Sequence, residues 1–210
     1  MTAAVVVGLA VAYVCGSLPS AYLAGRWTKG VDLRTVGSGN LGATNVYREL
    51  GTGPAIAVLV VDMIKGAVPA LFIPRFIVDG VSAESLNWWA LAFGGAAIAG
   101  HAKPVFLLWK GGGKGVATAA GVFFALTPMP MAICLLVFVA VAATTRFISL
   151  ASIVAAAALP FLQWGMAGDV AAITASGVVA VFVIWAHRGN IKRLLAGIEP
   201  RFSRRPKEAA

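Results

Sequence analysis

The stretch Gly53–Pro74, with the sequence GPAIAVLVVDMIKGAVPALFIP, decides the fold class of this chain. A membrane-spanning helix needs about 20 mostly apolar residues, and this stretch meets that length although it contains Asp62 and Lys65. Charged side chains inside a span are costly and usually have a partner. Because these two residues are three positions apart, they share one helix face, and we expect them to form an internal structural pair.

The overall composition indicates an integral membrane protein. Of the 210 residues, 60% are hydrophobic and 12% are charged, and the mean hydropathy is +0.87. Soluble domains average about 45–50% apolar and about 25% charged residues. We predict one membrane-embedded domain over residues 1–210, ending in a basic, flexible tail at residues 202–210. The net charge of +9 is concentrated in a few loops and the tail, which favours a membrane surface over nucleic acid as the partner.

The hydrophobic segments predict an all-α fold with seven transmembrane helices. The fourth segment is short and is followed by Pro128 and Pro130; if it is re-entrant, the chain crosses the membrane five or six times. The predicted spans are residues 3–24, 53–74, 86–107, 115–127, 130–145, 147–164 and 169–187.

The distribution of basic residues predicts the orientation of these spans. Lysine and arginine are frequent in the loops 25–52 and 101–114, at Arg146 and after residue 187, whereas the alternate loops contain Arg75 as their only basic residue. By the positive-inside rule, the N-terminus lies outside and the C-terminus lies in the cytoplasm. The glycine-rich loops then share the cytoplasmic face, and the number of spans is odd.

A glycine-rich loop at residues 37–45, GSGNLGATN, is the first candidate site. Glycines let backbone N–H groups converge on a ligand, hydroxyl and amide side chains add donors, and an arginine fork suits a phosphate. The loop also matches the dinucleotide pattern G-x-G-x-x-G, but a membrane span precedes it instead of a strand, so this match is accidental. The alternative to an anion site is a flexible linker. The candidate residues are Gly37, Ser38, Gly39, Asn40, Gly42, Thr44, Asn45 and Arg48.

A second candidate site combines His101 with two lysines that flank three glycines. If a helix begins near Gly115, its free N–H groups and positive dipole end face the same anion that Lys114 would meet. The pattern G-x-x-x-x-G-K-[ST] is absent, which excludes a Walker nucleotide site. The alternative is a glycine hinge between lysines that only set the topology. The candidate residues are His101, Lys110, Gly112, Gly113 and Lys114.

Two further polar stretches lie at the ends of predicted spans. Ser149 and Ser152 are three positions apart after Arg146, and His187 and Asn190 have the same spacing, so each pair shares a face on a helix. These stretches add donors and cations but almost no carboxylate. The sequence shows neither an acidic cluster for magnesium nor a His/Cys set for zinc, so we predict a phosphate site that uses no metal or other cofactor.

Together, these stretches resemble the bacterial acyl-phosphate:glycerol-3-phosphate acyltransferases, the PlsY family. Four motifs in order support the resemblance: GSLPS at 16–20 with DLR at 32–34 and the loop 37–45; GHAKP at 100–104 with residues 110–118; RFISLAS at 146–152; and HRGNI at 187–191. The family usually has Lys-Gly-Gly-Lys where this chain has a third glycine. Either Lys110 or Lys114 is therefore a candidate for the phosphate position.

The resemblance implies a seven-span protein of the bacterial cytoplasmic (inner) membrane with its active site facing the cytoplasm. Its reaction would transfer a fatty acyl group from acyl phosphate to the 1-hydroxyl of sn-glycerol 3-phosphate. The products would be lysophosphatidic acid and phosphate, at the first step of phospholipid synthesis. The implied partners are these two substrates, membrane lipid and, through functional coupling, the enzyme that makes acyl phosphate.

The resemblance also suggests roles for the candidate residues. Arg48, Lys114, Ser152 and Asn190 would hold glycerol phosphate, while the loop around Ser38 would cradle acyl phosphate and donate to the developing oxyanion. His187 would orient the attacking hydroxyl or take its proton, unless a substrate phosphate oxygen does so. The acyl chain would lie between helices. The remaining candidates, including His101, Lys110, Arg146 and Ser149, would contact substrate.

The main alternative function is a small carrier or channel for phosphate or an organic phosphate. Such a protein needs polar groups along a path through the bilayer, and many transporters contain two related halves. In this sequence Asp62 and Lys65 are the candidates for such a path, and no inverted repeat is visible. Polar motifs on one membrane face favour an enzyme that acts on a lipid.

Overall fold

A computed structural model describes residues 2–77, 82–166 and 169–202, and this part of the chain is helical and contains no strand. Ten α-helices follow in order, with a short 3-10 turn at Val105–Leu107 between the fifth and the sixth. They are α1 (Thr2–Gly16), α2 (Ser20–Lys29), α3 (Ala43–Leu50), α4 (Thr52–Ile77), α5 (Ala83–Ala102), α6 (Val116–Leu126), α7 (Pro128–Thr145), α8 (Ile148–Met166), α9 (Val170–Ala186) and α10 (Arg188–Leu195).

Five of the described stretches are long and apolar enough to span a membrane. They are Ala3–Lys29, Thr52–Ile77, Ala83–Leu107, Pro128–Thr145 and Ile148–Met166. A sixth is present if α9 and α10, which meet at an angle of 58°, form one bent span. Large apolar side chains such as Val6, Phe161 and Val181 are well exposed on the outside of the bundle, as expected for a surface that faces lipid. The all-helical membrane fold agrees with the sequence, and seven crossings stay a prediction.

The first span is interrupted where the sequence predicts one continuous helix over residues 3–24. The helix ends at Gly16 and begins again at Ser20, because Pro19 has no N–H and disfavours a helical residue before it. At the break, the backbone carbonyl of Leu18 accepts from the Ser20 N–H at 3.0 Å and from the Lys65 ammonium at 2.9 Å.

The short helix α6 lies tightly against α4. Its 11 residues rise about 16 Å, about half of the hydrocarbon thickness of roughly 30 Å. Glycines permit the close contact: a Cβ on Gly121 would lie 1.9 Å from the carbonyl oxygen of Met63, and one on Gly66 would lie 2.2 Å from that of Thr118. Small residues at such contacts are typical of membrane helix pairs.

The expected pairing of Asp62 and Lys65 is confirmed inside α4. Their charged atoms lie 2.8 Å apart and both side chains are buried. The Ser20 hydroxyl also donates to the Asp62 carboxylate at 2.6 Å. This pair therefore joins α4 to the break between α1 and α2.

The loops with the sequence motifs meet at one end of the bundle, which we call the loop face. Here the Leu41 N–H donates to the carbonyl of Gly112 at 3.1 Å, and the Phe202 N–H donates to that of Arg146 at 2.6 Å. At the opposite end, Asn87 at the start of α5 donates to the Asp169 carboxylate. Most of the predicted flexible tail, residues 203–210, lies outside the described residues, whereas Phe202 stacks on Tyr47 with ring centroids 4.5 Å apart.

Candidate active site

A cavity of 740 Å³ runs from the loop face between the helices. Its polar end contains cationic, hydroxyl, amide and imidazole side chains and one carboxylate, and its inner part is lined by apolar residues of α4 and of α6 to α9. At the polar end lie Asn40, Thr44, Arg48, Lys114, Ser149, Ser152, His187, Asn190 and Glu199; farther in lie Leu59, Phe123, Phe124, Met131, Leu135, Phe138 and Leu159.

The first glycine-rich loop turns into the N-terminus of α3. Gly37 and Gly39 have φ angles of +61° and +69°, in the left-handed region that favours glycine. The buried amide of Asn45 fixes the turn, because its Oδ1 accepts from the Ser38 N–H at 2.9 Å and its Nδ2 donates to the carbonyls of Leu33 and Val36. Asn45 thus shapes the loop that presents Asn40, Gly42 and Thr44 to the cavity.

Arg48 lies one turn further along α3 and connects to the C-terminal segment, residues 196–202. Its guanidinium lines the cavity and donates to the carbonyl of Pro200 at 3.3 Å. Pro200 and Phe202 line the cavity as well. The C-terminal segment therefore forms one wall of the polar end.

The second glycine-rich loop orients its two lysines differently. The Lys110 side chain is exposed and lies away from the cavity, and its backbone carbonyl accepts from Arg34 at 3.1 Å. Lys114 lines the cavity directly before α6, which begins at Val116 as the predicted helix start near Gly115 requires. Burial lowers the pKa of Lys114 to about 8, although the Glu199 carboxylate nearby raises it. Of the two candidate lysines, Lys114 is the one at the cavity.

A chain of polar contacts ties Lys114 to the C-terminal segment through Asn190. The Lys114 ammonium donates to Asn190 Oδ1, and Asn190 Nδ2 donates to Glu199 Oε1 at 2.6 Å. Ser149 donates to the same oxygen at 2.6 Å, and Arg193 donates to Glu199 Oε2 at 2.7 Å. Burial raises the pKa of Glu199, but these hydrogen bonds from Ser149, Asn190 and Arg193 outweigh it and lower the pKa, so the carboxylate is charged.

Glu199 is a site residue that the sequence motifs do not reveal. Its carboxylate forms an ion pair of 2.7 Å with the guanidinium of Arg193. Its hydrogen bonds to Ser149 and Asn190 join α8 to α10 and depend on how the C-terminal segment folds back. The one feature of the sequence that could have pointed to Glu199 is that it is a single acidic residue within a basic segment.

His187 and Ser152 complete the polar end. His187 is buried, and its Nδ1 lies 2.8 Å from the carbonyl of Val183. Because a carbonyl can only accept, Nδ1 carries the proton and Nε2 has a free lone pair when the ring is neutral. Ser152 is buried on the same face of α8 as Ser149, as the spacing predicts, and donates to the carbonyl of Ile148.

Ten of the predicted site residues line the cavity, and the other eight do not. Asp62 and Met63 also line it next to His101. Among the described residues, no group of three or more His, Cys, Asp or Glu side chains is arranged to hold a metal ion. The predicted residues in the wall are Asn40, Gly42, Thr44, Arg48, His101, Lys114, Ser149, Ser152, His187 and Asn190; those outside it are Gly37, Ser38, Gly39, Asn45, Lys110, Gly112, Gly113 and Arg146.

Similar proteins are found by sequence over almost the whole chain. The family model for glycerol-3-phosphate acyltransferase matches residues 6–197. The glycerol-3-phosphate acyltransferase of Synechococcus sp. (strain CC9902) is 48% identical over 95% of this chain and 96% of that protein. The enzyme of the same name from Geobacter sulfurreducens is 46% identical over 92% of this chain and 95% of that protein.

Two crystal structures of PlsY (YgiH), an integral membrane glycerol 3-phosphate acyltransferase, are similar in fold. The glycerol 3-phosphate form is 38% identical, with a TM-score of 0.82 over 95% of this chain and 96% of that chain. The lysophosphatidic acid form is 36% identical, with a TM-score of 0.83 over 95% of each. The resemblance seen in the sequence motifs is therefore confirmed, and the chain belongs to the glycerol-3-phosphate acyltransferase family of integral membrane proteins.

Proposed function

We propose that this protein transfers a fatty acyl group from acyl phosphate to the 1-hydroxyl of sn-glycerol 3-phosphate. The hydroxyl oxygen attacks the acyl carbonyl carbon, the bond from that carbon to the phosphate oxygen breaks, and lysophosphatidic acid and inorganic phosphate are formed. The mixed anhydride is already activated, so the protein needs only to position the substrates and stabilise the developing charge. The proposal rests on one observation: a single cavity joins a cationic polar end to a long apolar interior.

The polar end suits the phosphate of glycerol 3-phosphate. Lys114 and Arg48 supply positive charge, and Gly115, Val116 and Ala117 at the start of α6 line the same cavity, where the first N–H groups of a helix favour an anion. Ser152 and Asn190 add neutral donors beside them. In the first glycine-rich loop, Asn40, Gly42 and Thr44 line the cavity and hold the phosphate of the acyl donor, whereas Ser38 lies outside the cavity wall and reaches the oxyanion only if the loop moves on binding.

His187 suits the orientation of the attacking hydroxyl. Its Nδ1 proton is held by Val183, which leaves Nε2 as the acceptor for a hydroxyl proton. A phosphate oxygen of the substrate is the alternative acceptor. The His187→Gln variant separates the two, since loss of a base lowers kcat strongly, whereas loss of an orienting contact has a modest effect.

The apolar interior suits the acyl chain. Phe123, Met131, Leu135 and Leu159 line it between α6, α7 and α8. A chain that lies there has its carbonyl end near Lys114 and His187, where the hydroxyl of glycerol phosphate arrives.

The membrane placement forms part of the same proposal. We place the chain in the bacterial cytoplasmic membrane as one domain with seven crossings, the loop face and C-terminus in the cytoplasm and the N-terminus outside. The basic residues of the loop face and the positive-inside rule support this orientation. The acyl donor then arrives from an enzyme that makes acyl phosphate and is functionally coupled to this one.

The test is a direct assay with the purified protein and EDTA. One sample contains glycerol 3-phosphate and palmitoyl phosphate, and a parallel sample contains palmitoyl-coenzyme A instead. We expect lysophosphatidic acid only with palmitoyl phosphate. Equal product from coenzyme A would contradict the donor assignment. If the folded protein formed no product but moved glycerol 3-phosphate into proteoliposomes, the carrier would be the correct function.

A further inference from the structure

We infer that His101 is a positioning residue: it packs against Gly113 in the second glycine-rich loop and thereby determines where the Lys114 side chain lies. The inference rests on the proposed function and adds to it, because it gives His101, which lines the cavity, a role in placing the loop. Three sets of contacts lead to it.

One edge of the His101 ring faces a buried carboxylate. The His101 ring is buried, and its Nδ1 lies 3.6 Å from Asp62 Oδ1. That oxygen is itself held by Lys65 at 2.8 Å and by the Ser20 hydroxyl at 2.6 Å. The carboxylate opposite the ring is thus held within α4 by Lys65 and connected to α2 by Ser20, and the ring packs between this carboxylate and the loop.

The other edge of the ring lies directly against Gly113. A Cβ on Gly113 would be 1.9 Å from His101 Nε2 and 2.6 Å from Cε1, which leaves no room for any side chain there. The Gly113 N–H also donates to the His101 carbonyl at 3.1 Å. His101 therefore holds this glycine by both its backbone and its ring.

The rest of the loop is fixed from the opposite side. The Gly112 carbonyl accepts from the Leu41 N–H at 3.1 Å, which links it to the first glycine-rich loop. Gly112 has a φ of +142°, and a Cβ there would lie 2.1 Å from the carbonyl oxygen of Ala102. The backbone at Gly112 and Gly113 is therefore restrained by Leu41 on one side and by His101 on the other.

Lys114 follows this fixed glycine directly, and its ammonium reaches Asn190 across the cavity. A flexible four-carbon side chain finds a defined position most readily when its backbone is fixed. Movement of the Gly113 backbone by a fraction of an ångström shifts the Lys114 ammonium away from the phosphate. His101 thus acts on glycerol 3-phosphate binding through Lys114.

The experiment is a double-mutant cycle of His101→Ala and Gly113→Ala. Each single variant is expected to raise the KM for glycerol 3-phosphate by about tenfold or more, since displaced binding groups cost this much, while the KM for acyl phosphate stays within about twofold. In the double variant, the missing ring leaves space for the new methyl group. Gly113→Ala should therefore add little to His101→Ala, as contacting residues show strong non-additivity.

Gly95→Ala is the matched control, because a Cβ on this α5 glycine meets no atom within 4 Å. It should leave both KM values unchanged. Additive effects in the cycle, or equal changes in both KM values, would overturn the inference. If His101→Ala does not fold, the comparison of Gly113→Ala with Gly95→Ala decides, because Gly113→Ala keeps His101 and Asp62.

A second readout separates this inference from the proposed function. Inorganic phosphate binding, measured by calorimetry on the wild type and on the variants, requires no turnover. A wild type that binds phosphate but forms no lysophosphatidic acid would contradict the proposed reaction alone. A Gly113→Ala variant that binds phosphate as tightly as the wild type would contradict the role of His101.

Discussion

At the scale of single residues, the two lysines of the second glycine-rich loop show why position matters more than type. Both precede a hydrophobic segment and both are cationic, yet only Lys114 lines the cavity, while Lys110 is exposed. The difference comes from the backbone between them, which Leu41 and Arg34 fix through the carbonyls of Gly112 and Lys110.

Replacing Lys114 should therefore weaken glycerol 3-phosphate binding far more than replacing Lys110. Lys114→Met keeps much of the side-chain volume but removes the charge, and a lost charge-assisted contact of about 1.5–3 kcal/mol raises the KM by roughly ten- to hundredfold. Lys110→Met is the matched control and should change the KM by less than about twofold. Steady-state kinetics of both variants measure this, and equal effects would contradict the assignment of Lys114.

The pH dependence of binding should follow the pKa of Lys114. Because burial lowers this pKa to about 8, the ammonium is charged below that pH and loses its charge above it. The substrate phosphate is already a dianion there, since its second pKa is about 6. We expect the KM for glycerol 3-phosphate to rise above about pH 8, and to rise less in Lys114→Arg, whose guanidinium stays protonated. A flat profile in the wild type would argue against this titration.

The sequence predicts residue types at the site better than residue roles. Asn45 belongs to the glycine-rich motif, but its three hydrogen bonds shape the loop. Glu199 lies eight residues after the motif at 187–191 and belongs to none of the motifs, yet it contacts Ser149 and Asn190. Such roles depend on which backbone groups a side chain meets in space, and spacing along the chain does not contain this information.

At the scale of elements, the short helix α6 positions Lys114 because it is pressed against α4. Hydropathy marks residues 115–127 as a span, but it does not show that Gly66 and Gly121 let the two backbones touch.

Hydropathy also does not reveal α3. From the sequence, residues 25–52 are expected to form a loop, whereas the structure forms a helix at Ala43–Leu50. This helix is eight residues long and amphipathic, and it is stabilised by the apolar cluster of Leu33, Leu41 and Val46.

A methyl group at Gly121 should separate α6 from α4. Gly121→Ala places its Cβ against the Met63 carbonyl, and overpacking of this kind costs about 1–3 kcal/mol of stability. Gly177→Ala in α9 is the control, because its Cβ meets no atom within 4 Å. Thermal unfolding in detergent should show a lower midpoint for Gly121→Ala only. Equal midpoints would show that the α4–α6 contact tolerates the methyl group.

At the scale of the whole molecule, hydropathy and charge are enough to predict a helical membrane protein with its motifs at one end. The structure brings all four motifs together at the loop face: Leu41 contacts Gly112, Lys114 contacts Asn190, and Ser149 and Asn190 both donate to Glu199. The number of crossings depends on two elements: the short helix α6 and the bent pair of α9 and α10. Their length alone does not decide whether each of them crosses the membrane.

The orientation can be tested by labelling single cysteines. In a background with Cys15 and Cys134 replaced by serine, Ala196→Cys lies at the loop face and Ala83→Cys lies at the start of α5. We expect a membrane-impermeant maleimide to label Ala196→Cys only in inside-out vesicles and Ala83→Cys only in right-side-out vesicles. The reverse pattern would place the loop face outside, and labelling of both sites in the same vesicles would contradict an odd number of crossings between residues 83 and 196.

The contact between Arg48 and Pro200 has a consequence for the order of folding. These residues are 152 positions apart, yet both form the wall of one cavity. Closing so long a chain segment is entropically expensive, and contacts of this range form late. During refolding in detergent, helicity should therefore recover before catalytic competence. In mild denaturant, we expect turnover to be lost while the circular dichroism of the bundle is still native, because the exposed hydrogen bond from Arg48 to Pro200 contributes less than the buried contacts between the long helices.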